Sequence, residues 1–148
     1  MKAITLWQPW ASLVAIGSKK IETRSWATKY RGPLAIHAAA KTPGDSIIAC
    51  FHEPFATVLK NAGFVRGKNI SLPCGVVIAT CRLVDCVTIT PEFVATLSEQ
   101  ERAFGDYTQG RYAWILDNVR RLERPVPANG RQRLWELDER ILELAGVD

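Results

Sequence analysis

Residues 17–26 read GSKKIETRSW and set Lys19, Glu22 and Arg24 within six positions of one another, with the indole of Trp26 directly after. An ammonium beside a carboxylate favours the ionised carboxylate, and partial burial of both can shift either pKa far enough for acid–base work. A guanidinium adds a planar fork suited to phosphate or to the edge of a base. An aromatic ring completes the parts of a site for a flat, charged ligand, because stacking contributes about 1–3 kcal/mol per base. The competing reading is a solvated ladder of ion pairs along one strand face, worth only about 0–1 kcal/mol.

Further candidates lie elsewhere. Five tryptophans stand at 7, 10, 26, 114 and 135. Trp114 and Trp135 read as core filling, while Trp26 and the pair Trp7 and Gln8, where a strand turns into a helix, suit the rim of a cleft. His37 sits inside an apolar strand with neither a metal-ligand partner nor a nucleophile at readable spacing, so it is expected as a hydrogen-bonded residue that orients the cleft. Lys41 either reaches phosphate or is simply solvated. The loop GDYTQGRYAW offers Arg111 and Tyr112, and a turn rich in N–H groups can take an anion. Ser12 and Cys50 have no adjacent base, which leaves triad chemistry unsupported. Neither a metal nor a cofactor is expected.

These residues need elements to position them. Lys2–Leu6 is a β-prone run, and Pro9 followed by Gly17 punctuates a short apolar helix over 9–16. From Ile21 the residues alternate in character, which predicts a strand with Glu22, Arg24 and Trp26 on one face. Arg31-Gly32-Pro33 is a turn before the strand 34–38. Residues 44–62 carry a helical pattern interrupted by Pro54, and 66–74 read as a polar loop. Val, Ile, Thr and Cys enrich 75–90, a long strand or a hairpin near Asp85. Thr90 and Pro91 open a helix expected to reach Phe104. Residues 111–122 alternate as a strand, Pro125 and Pro127 imply an extended edge or loop, and 132–137 form a last strand before an amphipathic tail helix. Helices do not alternate regularly with strands, which argues against a parallel βαβ sheet and for an α+β domain or small barrel.

The chain has 148 residues, 47% of them hydrophobic and 23% charged, the profile of one globular domain spanning 1–148. Net charge is +4, but its distribution says more. Residues 17–41 hold six basic side chains against Glu22 alone, and 110–133 hold six arginines against Asp117 and Glu123. If these segments meet, the protein has a positive face able to hold phosphate-bearing partners. Four cysteines without a CxxC pair suit buried thiols in a reducing cytoplasm, and neither a signal peptide nor a membrane span is evident.

The ordered motifs LWQPWASL, GSKKIETRSW, YRGPLAIHAAAK, GRYAWIL and PVPANGRQRLW resemble those of bacterial and phage ASCH-domain proteins over nearly the whole chain. The resemblance implies a PUA-like fold, a small mixed or antiparallel β-barrel with short flanking helices, and binding of single-stranded RNA or a modified nucleobase or nucleoside in a cleft. The family signature G-x-K-x-x-E-x-R maps onto Gly17, Lys19, Glu22 and Arg24. Some small members are similar to metal-independent amidohydrolases that deacylate N4-acylcytidines with lysine, threonine and glutamate. Here Lys19 matches, Glu22 occupies the threonine position, Thr23 falls on the other strand face, and Glu101 is the candidate second carboxylate. Hydrolysis of such nucleosides, or of RNA, is therefore the alternative to binding.

Overall fold

The computed structural model describes residues 1–143 and 145. Its strands are β1 (Lys2–Leu6), β2 (Ile21–Arg24), β3 (Gly32–Ala38), β4 (Val65–Arg66), β5 (Asn69–Ile70), β6 (Val76–Thr88), β7 (Tyr112–Pro127) and β8 (Leu134–Glu136). The helices are α1 (Trp10–Ala15), α2 (Gly44–Ala49), α3 (Phe55–Asn61), α4 (Pro91–Ala95), α5 (Glu99–Ala103) and α6 (Arg140–Glu143). Six strands form one sheet in the order β2-β7-β6-β3-β1-β8, and β4 pairs with β5 alone. The β1–β3 pair is parallel and the other pairings are antiparallel.

The sheet curls into a half-barrel. β2 begins the order and β1 is next to its far end, yet Arg24 on β2 donates through Nη2 to the Thr5 carbonyl on β1 at 2.9 Å. Only strong curvature brings those strands within reach of one side chain. Successive side chains along a strand face opposite ways, and the inward set includes Ile4, Leu6, Leu34, Ile36, Leu83, Trp114 and Leu116, packed against the buried face of α1. A second cluster, with Leu13, Cys50, Leu59 and Phe104, anchors the helices beside the opening.

Most expected elements are present, with three differences. Residues 91–104 form two helices, because Ser98 restarts the chain as an N-cap by accepting the Glu101 N–H. Thr90 caps the first, accepting the Phe93 N–H as its sequence predicts. The expected loop at 66–74 instead holds the end of a small hairpin whose two-residue turn includes Gly67 at φ 62°. Finally, β7 runs on through both prolines. β2 covers β7 only from Tyr112 to Ile115, so Pro125 and Pro127 lie on a free margin where a missing N–H leaves no ladder bond unmade.

Candidate functional site

The segment between α1 and β2 is shaped by Gly17. Its φ of 81° lets the chain reverse at the helix end, where the Leu13 carbonyl accepts from both Ser18 and Lys19. The reversal turns Lys19 inward and leaves Lys20 exposed, which strand alternation alone did not decide. Lys19 is 1% exposed. Its Nζ donates to the Ile21 carbonyl and lies 3.9 Å from Glu22 Oε1. Burial pulls the ammonium pKa below its ordinary value, against the opposing pull of the Glu22 and Glu101 carboxylates.

Glu22 also pairs with Arg24, Oε2 to Nη2 at 3.2 Å, and its Oε1 accepts the Thr23 N–H. The three head groups are thus one connected cluster. Glu101 approaches from α5, accepting the Lys20 N–H at 2.9 Å, while its Oε2 is buried without a partner among the described residues. The Tyr107 hydroxyl and Arg24 Nε are buried in the same condition. Burial, and then the Glu101 and Glu22 carboxylates, push the Tyr107 pKa up.

A cavity of about 870 Å³ opens beside this cluster, between β2, the end of β1 and the loop preceding β8. Of the residues singled out in the sequence, Glu22, Arg24, Trp26, Trp7 and Arg111 line it. Trp7 is 59% exposed. Trp26 meets Trp114 edge-on, with centroids 4.7 Å apart and planes at 88°. Arg111 is held by Asp106, 3.4 Å from Nε to Oδ2, and by the Asp106 and Thr23 carbonyls.

Other candidates stand outside the cavity wall. Lys19 and Glu101 lie behind it. Gln8 is buried and fully engaged, donating to Ser12 Oγ and the Pro73 carbonyl and accepting the Ser12 N–H. It fixes the entry to α1. Lys41 is exposed and Tyr112 packs on the sheet, neither of them at the wall. His37 is buried and hydrogen-bonded, as its apolar strand implies, and it does not line the cavity. Its Nε2 lies 2.7 Å from the Ala128 carbonyl, which can only accept, so Nε2 carries the proton and Nδ1 accepts from the Thr5 hydroxyl at 3.1 Å. Burial holds its pKa below the ordinary value, partly offset by the bond to Ala128. Thr23 keeps to the face opposite Glu22; it touches the cavity edge, but its hydroxyl accepts the Asp106 N–H.

Sequence reasoning missed Trp10, Phe104, Asp106, Arg131 and Arg133 at the wall. The two arginines lie in the second basic segment, so the charge count contained the signal without their position. Both basic segments do converge here: Arg24 comes from one, and Arg111, Arg131 and Arg133 from the other. Four guanidiniums against Glu22 and Asp106 leave the wall electropositive.

Together, the curled mixed sheet, its short flanking helices and the cleft beside β2 define a PUA-like domain. The chain belongs to the ASCH domain family, which matches residues 4–126. Among solved structures it resembles ASCH from Zymomonas mobilis, with a TM-score of 0.56 and 17% identity over 96% of this chain and 90% of that one. The S128A variant of that protein gives a TM-score of 0.55 with 18% identity, covering 97% and 92% of the two chains. At this identity the likeness is one of fold. The chain is also 28% identical to human activating signal cointegrator 1 over 142 residues, 93% of this chain, and it spans 22% of that relative's length. No helix among the described residues is long and apolar enough to cross a membrane.

Proposed function

We propose that this ASCH domain captures a nucleotide of single-stranded RNA, or a nucleobase or nucleoside, in the cleft between β2 and β1. The observation that carries this reading is the meeting of Trp7 and Trp26 with arginines from both basic segments around one cavity of about 870 Å³. That volume is typical of a small-ligand site. Unstacked bases take up aromatic and guanidinium planes, and Glu22 offers an acceptor for exocyclic amino groups. A duplex conceals the base faces that such a cleft would use, so single strands are the preferred partner. The four unpaired cysteines support a reducing, cytoplasmic setting.

A second reading is metal-independent hydrolysis of an N4-acylated cytidine or of RNA. It is favoured by one observation, a buried lysine with a lowered pKa beside two carboxylates. Lys19 is buried and does not line the cavity, so binding ranks first.

Binding of labelled single-stranded RNA, matched duplex and a panel of N4-acylated cytidines tests both. The binding reading expects affinity for the single strand that falls with salt, at a log–log slope of about −0.7 per phosphate contacted. Salt-independent binding, or a preference for duplex, would overturn it. Release of the acyl group or strand cleavage, lost in Lys19→Ala with the fold intact, would establish the second reading.

A further inference from the structure

Arg133 covers a ring that the proposed ligand needs. Its guanidinium carbon lies 4.1 Å from the centroid of the Trp26 ring system, and Trp26 is packed on its core side by Trp114. A base that stacks on the Trp26 face beneath Arg133 must take the surface that Arg133 occupies.

The loop carrying Arg133, residues 128–133, is clamped. Ala128 is held through its carbonyl by His37 Nε2, and just past the loop Trp135 Nε1 donates to Thr5 Oγ1 at 3.1 Å. Between them Gly130 presses on the same buried pair, since a Cβ there would stand 2.7 Å from both His37 Cε1 and Thr5 Oγ1. The backbone is thus fixed while the side chains of Arg131 and Arg133 reach the cavity. Among the described residues neither guanidinium has a carboxylate partner.

We propose that Arg133 determines specificity by acting as a removable cover on Trp26, one that a nucleobase carrying a phosphate displaces readily and a bare nucleoside does not. The proposal rests on the nucleotide-binding reading above. An exposed guanidinium–indole contact is weak, whereas a charge-assisted bond from arginine to phosphate is stronger. A phosphorylated ligand gives Arg133 a better partner than the ring it leaves, with Arg131 as a second ligand two residues away. A nucleoside must uncover the ring without that exchange.

Calorimetric titration of the whole protein with the four ribonucleosides, their 5′-monophosphates and short single strands tests this. The wild type is expected to prefer the phosphorylated form by roughly tenfold or more. Arg133→Ala should bind the nucleoside about two- to fivefold more tightly and lose most of the phosphate preference. Arg131→Ala should weaken the phosphorylated ligand more than the nucleoside, narrowing the preference from the phosphate side. If the preference appears with monophosphates, the ligand is a free nucleotide; if only with strands, it is a diester in RNA; either outcome supports the cover. Arg133→Ala weakening nucleoside and nucleotide alike, or leaving their ratio unaltered, overturns it while the binding reading stands. A wild type that binds none of these ligands overturns both.

Discussion

The Nζ of Lys19 donates to the carbonyl of Ile21, on the outward edge of β2. Leu116 N–H bonds to the Lys20 carbonyl, so the ladder to β7 uses Lys20, Glu22 and Arg24, and the backbone groups of Ile21 and Thr23 point away from it. Side chains satisfy three of these four groups: Lys19 takes the Ile21 carbonyl, Glu22 takes the Thr23 N–H, and Arg111 takes the Thr23 carbonyl. The cleft cluster therefore also closes an edge strand against foreign pairing.

Burial disfavours the Lys19 ammonium more than its carboxylates favour it, so removing Glu22 should hurt more than removing Lys19. Glu22→Gln is expected to cost about 1–3 kcal/mol by leaving a buried cation less compensated. Lys19→Met removes that cation, and the double variant should recover about 0.5–3 kcal/mol relative to the sum of the singles. Urea denaturation of the four proteins measures the cycle; strictly additive costs would mean that the two side chains do not couple.

Gly130→Ala tests how the loop over His37 is held. The added methyl would meet the His37 ring and Thr5 Oγ1 at 2.7 Å, and both partners are fixed by hydrogen bonds. A loss of about 1–3 kcal/mol is expected, together with weaker RNA binding as Arg131 and Arg133 shift. Thermal melting and anisotropy titration would report the two effects; a variant unchanged in both would show that the loop adapts freely.

His37 predicts an acid dependence. Its folded pKa lies below the unfolded value of 6.5, so the unfolded chain binds the extra proton first. The stability contributed by neutral His37 is complete above pH 6.5 and is lost as pH falls toward the folded pKa. Stability of the wild type relative to His37→Gln should therefore drop between pH 7.5 and 5. A difference that stays flat across this range would contradict a neutral, buried imidazole.

Trp7 separates binding from folding. With its indole largely in solvent, Trp7→Ala should alter stability by no more than about 0.5 kcal/mol. It should weaken single-strand binding by about 1–3 kcal/mol if a base stacks there. Chemical denaturation beside anisotropy titration gives both numbers, and affinity equal to the wild type would remove Trp7 from the site.

Alternation and punctuation along the chain were enough to locate β1, α1 and β2 and to put Glu22 and Arg24 on a common face, because these depend on neighbours a few residues apart, whereas 75–90 read equally as one strand or a hairpin and only the pairing with β3 and β7 made it the single long β6. Local charge counts identified both basic segments. Their convergence depended on the curl of the sheet, which brings Arg24 to Thr5 and sets the β7–β8 loop opposite β2. Gln8, His37, Lys41 and Tyr112 share residue types with side chains that do line the cavity, and only packing reveals that two of them are buried and that none reaches the wall. The inward turn of Lys19 was likewise a tertiary outcome: a left-handed glycine at a helix end sets which of two adjacent lysines is desolvated, and composition is blind to that rotation.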